Sequence, residues 1–216
     1  MNVEIIIFLI PVILISLTVH EYSHGMMAHL LGDDTAKNQG RLTFNPLKHL
    51  DPMGVVFFLI MHFGWAKPVP VDPRNLKDPH RDMLFIAAAG PASNLTLALI
   101  FGFLLSFMSP WGPPEQMEPT QRYILIFLSL GIYSNVGLVV LNMLPVFPLD
   151  GSSVLKGLVP RRVADKLSEL DKFAAAALVG VFLMDQFAGT RILGTVLGLP
   201  IEFMVEFITQ EIFPVE

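Results

Sequence analysis

Apolar positions along this chain gather into long uninterrupted stretches, with the polar positions bunched between them. Ile5 to Val19 carries no charge, His20-Glu21 follows directly, and apolar character resumes from Gly25 to Leu31, where Gly32 offers a helix stop. This pattern predicts one helix over 5–31, longer than the about 20 residues that cross a bilayer. No Asp, Glu, Lys or Arg occurs from Met83 to Pro114 or from Tyr123 to Leu149, so further spans are predicted at 83–109 and 122–146. Met53 to Phe63 is apolar but too short to cross and reads as a re-entrant or interfacial piece. Gly64-Trp65-Ala66-Lys67-Pro68-Val69-Pro70-Val71 alternates apolar residues with prolines, which favours an extended chain. Residues 161–172 place Val163, Leu167 and Leu170 on one face, as in a short amphipathic surface helix. Phe173 to Ala188, carrying Asp185, reads as a weaker span, and 192–213 as a segment that spans or lies in the interface. The expected fold is an all-α polytopic membrane protein with about 4–5 transmembrane helices and a re-entrant or extended segment between the first two. It forms a single membrane-embedded domain over 1–216, with a core of about 5–160 and C-terminal helices over 161–216.

Composition agrees. Of 216 residues, 53% are apolar and 15% charged, with a mean hydropathy of +0.59; soluble domains average about 25% charged. The chain has no cysteine, so disulfides and thiolate metal sites are excluded and any metal must be held by His and carboxylate. The net charge of −5 matters less than where the basic residues sit. Lys37, Arg41, Lys48, Lys67, Arg74, Lys77 and Arg81 lie between the first two strong spans, and Lys156, Arg161, Arg162, Lys166 and Lys172 follow the third. If 53–63 does not cross, all twelve share one side, expected to be the cytoplasmic side of a multi-pass protein of the cell membrane.

His20-Glu21-Tyr22-Ser23-His24 is an HExxH sequence. On a helix, positions i and i+4 share a face, so both imidazoles can bind one metal ion while Glu21 reaches a metal-activated water as general base. A catalytic zinc needs a third protein ligand. His29 is out of phase with His20, position 30 is Leu, and no Glu lies between Glu21 and Glu115. Asp33, Asp34 and Asp51 fall in a polar loop, where solvated carboxylates are ordinary. The strongest candidate is Asp150, in Asn142-Met143-Leu144-Pro145-Val146-Phe147-Pro148-Leu149-Asp150-Gly151. Charge bias places it at the same end of the bundle as His20 and His24. His49 with Asp51, His62 and His80 offer a second set of metal-ligand types, but isolated interfacial histidines are commoner, and that is the expectation for them.

The HExxH on a first span, Gly90-Pro91-Ala92-Ser93-Asn94 on the next, and Asn-x-x-Pro…Leu-Asp-Gly on the third together resemble the site-2 protease family of intramembrane zinc metalloproteases. The stretches Gly40–Pro46 and Gly64–Val71 are similar to its small prokaryotic members, which lack PDZ and CBS domains. The resemblance implies one Zn²⁺ held by His20, His24 and Asp150, Glu21 as catalytic base, and cleft roles for Asn142 and Asn94. It also implies transmembrane protein substrates, cut in or near their spans, within the lipid bilayer; no nucleic-acid partner is expected. A transmembrane substrate must unwind before its carbonyls can be attacked, and the 65–71 stretch, with Val69 and Val71, can pair with the unwound chain as an added strand. The competing readings are a membrane metal-ion transporter, which would space polar residues through the bilayer depth, and a catalytically inactive membrane scaffold.

Overall fold

The computed structural model describes residues 3–61, 64–108 and 117–213. Its helices are α1 (Val3–Leu30), α2 (Thr35–Asn38), α3 (Pro52–Met61), α4 (Pro79–Ser106), α5 (Pro119–Asn142), α6 (Asp150–Leu158), α7 (Arg161–Glu169), α8 (Asp171–Leu183) and α9 (Ile192–Glu206). Wider π-helical turns prolong α8 through Ala188 and α9 through Ile212. The architecture is all-α, with no strand among the described residues. Among the described residues four helical segments are long and apolar enough to span: Ile5–Leu30, Pro79–Ser106, Pro119–Asn142 and Ile192–Ile212. Two of these start before the apolar run does. Pro79 is the first helical residue of α4, where its missing N–H costs nothing, and Asp82 sits in the first turn at the positive end of the helix dipole. A reciprocal Glu118–Gln121 capping box opens α5. At its other end α5 stops at Asn142 rather than 146, ahead of Pro145 and Pro148, which have no N–H to continue it.

Helix α4 is the central element, with α1, α5 and α6 packed along it. Ala98, Phe101 and Leu105 of α4, Leu128, Ile132 and Val136 of α5, and Val205 with Ile208 from the last span form the largest core cluster. A Cβ at Gly131 would strike the Phe101 ring; the glycine lets that ring rest on the α5 backbone. Close packing of this kind holds helices together in lipid, where the hydrophobic effect between them is weak.

The contacts settle which ends lie together. An antiparallel bridge joins Leu50 to Ala66, and Lys67 N donates to His49 O at 2.8 Å. The excursion through α3 therefore returns to where it began, so Pro52–Met61 does not cross. His62 lies outside the described residues. In the last span, Ile201 lies beside Gly137 near the end of α5, while Ile208 and Phe213 lie against Gly102 near the far end of α4. That span thus runs parallel to α4 and begins at the end where α5 stops. The start of α8 is tied to α6 at that same end by Lys156 Nζ–Asp171 Oδ2 at 2.6 Å. Phe173–Ala188 leaves and returns on one side and is not a span, contrary to its apolar composition; no residue of α8 is buried. Asp185 explains the return. Its carboxylate accepts from Thr190 Oγ1, Ile192 N and Leu193 N at 2.5–2.6 Å, which caps α9 and turns the chain.

Asp33 departs most from its expected role as a solvated loop carboxylate. It is fully buried and accepts from Thr35 N, Thr35 Oγ1, Asn75 Nδ2 and Asp72 N at 2.5–3.0 Å. Burial pushes its carboxyl up, but these four hydrogen bonds outweigh that and hold it below the usual carboxylate range. The extended stretch before Asp72 is thereby anchored to the end of α1.

Because the chain has no cysteine, single substitutions can report sidedness directly. Asn38→Cys and Gln186→Cys should react with an impermeant thiol reagent from the same side of sealed vesicles. Labelling from opposite sides would show that 173–188 crosses after all.

Candidate metal centre

Three elements bring the site together. His20 and His24 project from one face of α1, six to ten residues before its end, so about 9–15 Å inside it. Asp150 opens α6, just past the turn that ends α5. Asp150 Oδ2 lies 3.1 Å from His20 Nε2 and 3.3 Å from His24 Nε2, and the two Nε2 atoms are 3.0 Å apart. Among the described residues this is the one cluster of three or more His and carboxylate groups placed to hold a metal ion.

The far side of each imidazole decides what the near side can do. His24 Nδ1 is 2.6 Å from Ile86 O, a carbonyl that can only accept, so the ring proton sits on Nδ1. His20 Nδ1 is 2.6 Å from Asn94 Oδ1, and the Asn94 amide nitrogen donates to Ser16 O at 3.2 Å and to Asn135 Oδ1 at 2.9 Å. With its nitrogen committed there, Asn94 presents oxygen to His20 and receives the Nδ1 proton. In the neutral rings that bind a metal, both Nε2 atoms then carry lone pairs, and both face Asp150 Oδ2, which is buried and has no hydrogen-bond partner among the described residues. Three acceptors at such distances repel unless a cation lies among them. Donors at 2.0–2.2 Å from a tetrahedral zinc stand about 3.3–3.5 Å apart, within a few tenths of an ångström of these separations. Two neutral imidazoles and one carboxylate are also a donor set zinc takes in catalytic sites, so the residues fit that ion.

The close approach of α4 depends on one residue. A Cβ at Gly90 would run into the imidazoles of both His20 and His24, so only glycine lets the α4 backbone lie against the rings it orients.

Glu21 faces a cavity of about 570 Å³ lined also by His20, His24, Asp150, Asn142, Val69 and Val71, with Trp65, Leu138, Leu141 and Pro148 among its apolar walls. Val69 N donates to Glu21 Oε2 at 2.8 Å, so the extended stretch fixes the carboxylate. That stretch is held from behind by Arg41 Nη2, which donates to Lys67 O at 2.7 Å.

Of the residues expected in the cleft, Asn142, Val69 and Val71 line it. Asn94 does not: it is fully buried behind His20, with its amide taken up by the network just described. The two unspecified positions of HExxH turn to other tasks: Tyr22 stacks on Phe44 at 4.0 Å, and Ser23 Oγ donates to Val19 O at 2.7 Å. His49, His80 and Asp51 are scattered. His49 is buried with Nε2 on Thr43 O, His80 Nε2 lies 3.0 Å from Val159 O, and Asp51 Oδ1 caps α3 through Met53 N and Gly54 N. The sequence reading passed over Asn135, although an Asn in the middle of an apolar span is a signal in itself.

Comparison with known proteins gives the chain relatives. It is 40% identical over 176 residues, 82% of this chain and 80% of the relative, to "Putative zinc metalloprotease YwhC" of Bacillus subtilis. It is 33% identical over 159 residues to a protein named with the same words as Rip2 of Mycolicibacterium smegmatis, covering 71% of this chain and 58% of that one. The Rip2 of Mycobacterium tuberculosis is 25% identical over 182 residues, 82% of this chain and 66% of the relative. No family model matches, and no solved structure matches the chain.

Gly90→Ala should weaken zinc binding by about tenfold or more, the usual cost of disturbing the support of a metal ligand. Competition with a chelator measures it. Unchanged affinity would mean that the packing of α4 on the imidazoles does not set the ligand geometry.

Proposed function

Since this chain belongs to the site-2 protease family of zinc metalloproteases, we propose that it is an intramembrane endopeptidase, which hydrolyses peptide bonds in or near the transmembrane segments of membrane-protein substrates. The observation that carries this reading is the convergence of three lone-pair donors, His20 Nε2, His24 Nε2 and Asp150 Oδ2, on one point beside the cavity that Glu21 faces.

His20, His24 and Asp150 would hold one Zn²⁺, which when bound would supply the Lewis acidity that acidifies a water and polarises a carbonyl. Glu21, adjacent in sequence to the first ligand, takes a proton from the attacking water on a carboxylate oxygen. The water oxygen bonds to the carbonyl carbon, the C–N bond breaks, and the proton held by Glu21 passes to the leaving nitrogen. The N–H of Val69 keeps the carboxylate aimed while this happens. Asn142, at the end of α5 where the wall meets Asp150, donates to the developing oxyanion.

The cavity walls select the substrate. Among the described residues, its lining carries no acidic or basic side chain apart from Glu21, Asp150 and the two ligand histidines, so the residues flanking the cut are apolar. An intact helix hides its carbonyls, so Gly, Pro or Asn near the cut promotes cleavage by loosening it. The unwound chain lies along Val69 and Val71. Pro68 and Pro70 have no N–H, and those of Lys67 and Val69 are already committed to His49 O and Glu21; the substrate therefore pairs chiefly by donating its own N–H groups to carbonyls of the stretch. By the placement of twelve of the fourteen basic residues, the site opens to the cytoplasmic side of the cell membrane.

Glu21→Gln should reduce cleavage of a reporter transmembrane segment carrying a central Gly-Pro by about 10²–10⁴-fold, with zinc content unchanged. Cleavage by Glu21→Gln at the wild-type rate would remove Glu21 as the base, and no cleavage by the zinc-loaded wild type would remove the endopeptidase reading.

A further inference from the structure

We propose that Asn135 is a positioning residue for the metal centre: through Asn94 it fixes which nitrogen of His20 carries the proton. This rests on the metal-centre reading above and extends it to a residue that touches neither metal nor substrate.

Hydrogen-bond polarity fixes the His20 tautomer. A side-chain amide can turn over, exchanging its oxygen for its NH₂ group at almost no cost in shape. If Asn94 did so, it would present N–H to His20 Nδ1. That nitrogen would have to accept, the ring proton would move to Nε2, and His20 would no longer offer a lone pair towards Asp150. Two contacts oppose the flip. Asn94 Nδ2 donates to Ser16 O at 3.2 Å and to Asn135 Oδ1 at 2.9 Å, and a reversed amide would set oxygen against oxygen at both. The Asn135 contact is the shorter, and it holds only if Asn135 keeps its own orientation. That orientation is fixed in turn, because Asn135 Nδ2 donates to Gly131 O at 2.8 Å.

Both ends of this chain of amides are thus main-chain carbonyls, which accept and never donate. Their polarity passes through Asn135 and Asn94 to His20 without a point at which it can reverse. Asn94 and Asn135 are each fully buried, so water is not at hand to substitute for a missing partner. An amide serving only as glue between helices would need no particular polarity.

The test measures zinc affinity by chelator competition, and the melting temperature, on the full chain purified in detergent. Asn135→Leu removes the acceptor at nearly constant volume and should weaken zinc binding by about 10–100-fold, as loss of a group orienting a metal ligand does. In the Asn94→Leu background the same change should weaken it no further, since the link has already been cut. Asn135→Asp keeps an oxygen towards Asn94 and, protonated by burial, a donor towards Gly131; its affinity should fall closer to wild type than to Asn135→Leu. Asn135→Ala serves where Asn135→Leu does not fold. A lower melting temperature with wild-type zinc affinity in Asn135→Leu or Asn135→Ala would overturn the proposal and leave the metal centre standing. Additive losses in the double variant would also overturn it. A folded wild type that binds no zinc would bring down both.

Discussion

Everything at this site follows from where two ring protons sit. A neutral imidazole, the form that binds a metal, has one proton to give and one lone pair to offer, and in an apolar interior neither can be left to water. His24 gives its proton to a main-chain carbonyl and His20 gives its proton to Asn94, so the opposite nitrogens must accept. Set beside Asp150 Oδ2, they form a pocket of three acceptors that is stable only around a cation. The rest of the bundle serves that arrangement. Gly90 lets α4 approach the rings, the turn after α5 delivers Asp150, and the Asn94–Asn135 pair keeps the polarity from reversing.

The membrane accounts for the one-sided layout. Four helical segments have the length and apolar character to span, and their polar groups cost too much to scatter through lipid. The chemistry gathers instead near one end, where the re-entrant α3, the extended stretch to Val71, α6 and α8 also lie. Lipid-exposed backbone must be hydrogen-bonded internally. An extended stretch can therefore exist here only against protein, and Glu21, Arg41, His49 and Asp33 between them hold this one from several sides.

What the sequence made legible was what depends on period and composition. Long apolar runs located three of the spans, the i, i+4 spacing put His20 and His24 on one face, and charge bias set Asp150 at their end of the bundle. What escaped depends on partners brought from far along the chain. Asp33 looks like any loop carboxylate until Asp72 and Asn75 arrive to donate to it. Asn94 reads as a cleft residue through the family resemblance, yet its side chain points to His20 and Asn135. Phe173–Ala188 has the composition of a span, but the direction of α9 and the cap at Asp185 keep it on one side. In each case the deciding interaction joins residues that no local pattern connects.

The central claim is that His20, His24 and Asp150 together hold one zinc ion. Metal analysis of the detergent-purified wild type beside His24→Ala and Asp150→Ala tests it without a known substrate. About one zinc per chain is expected, lost or much weakened in both variants. Zinc retained in full by Asp150→Ala, or absent from a folded wild type after metal is restored, would contradict it.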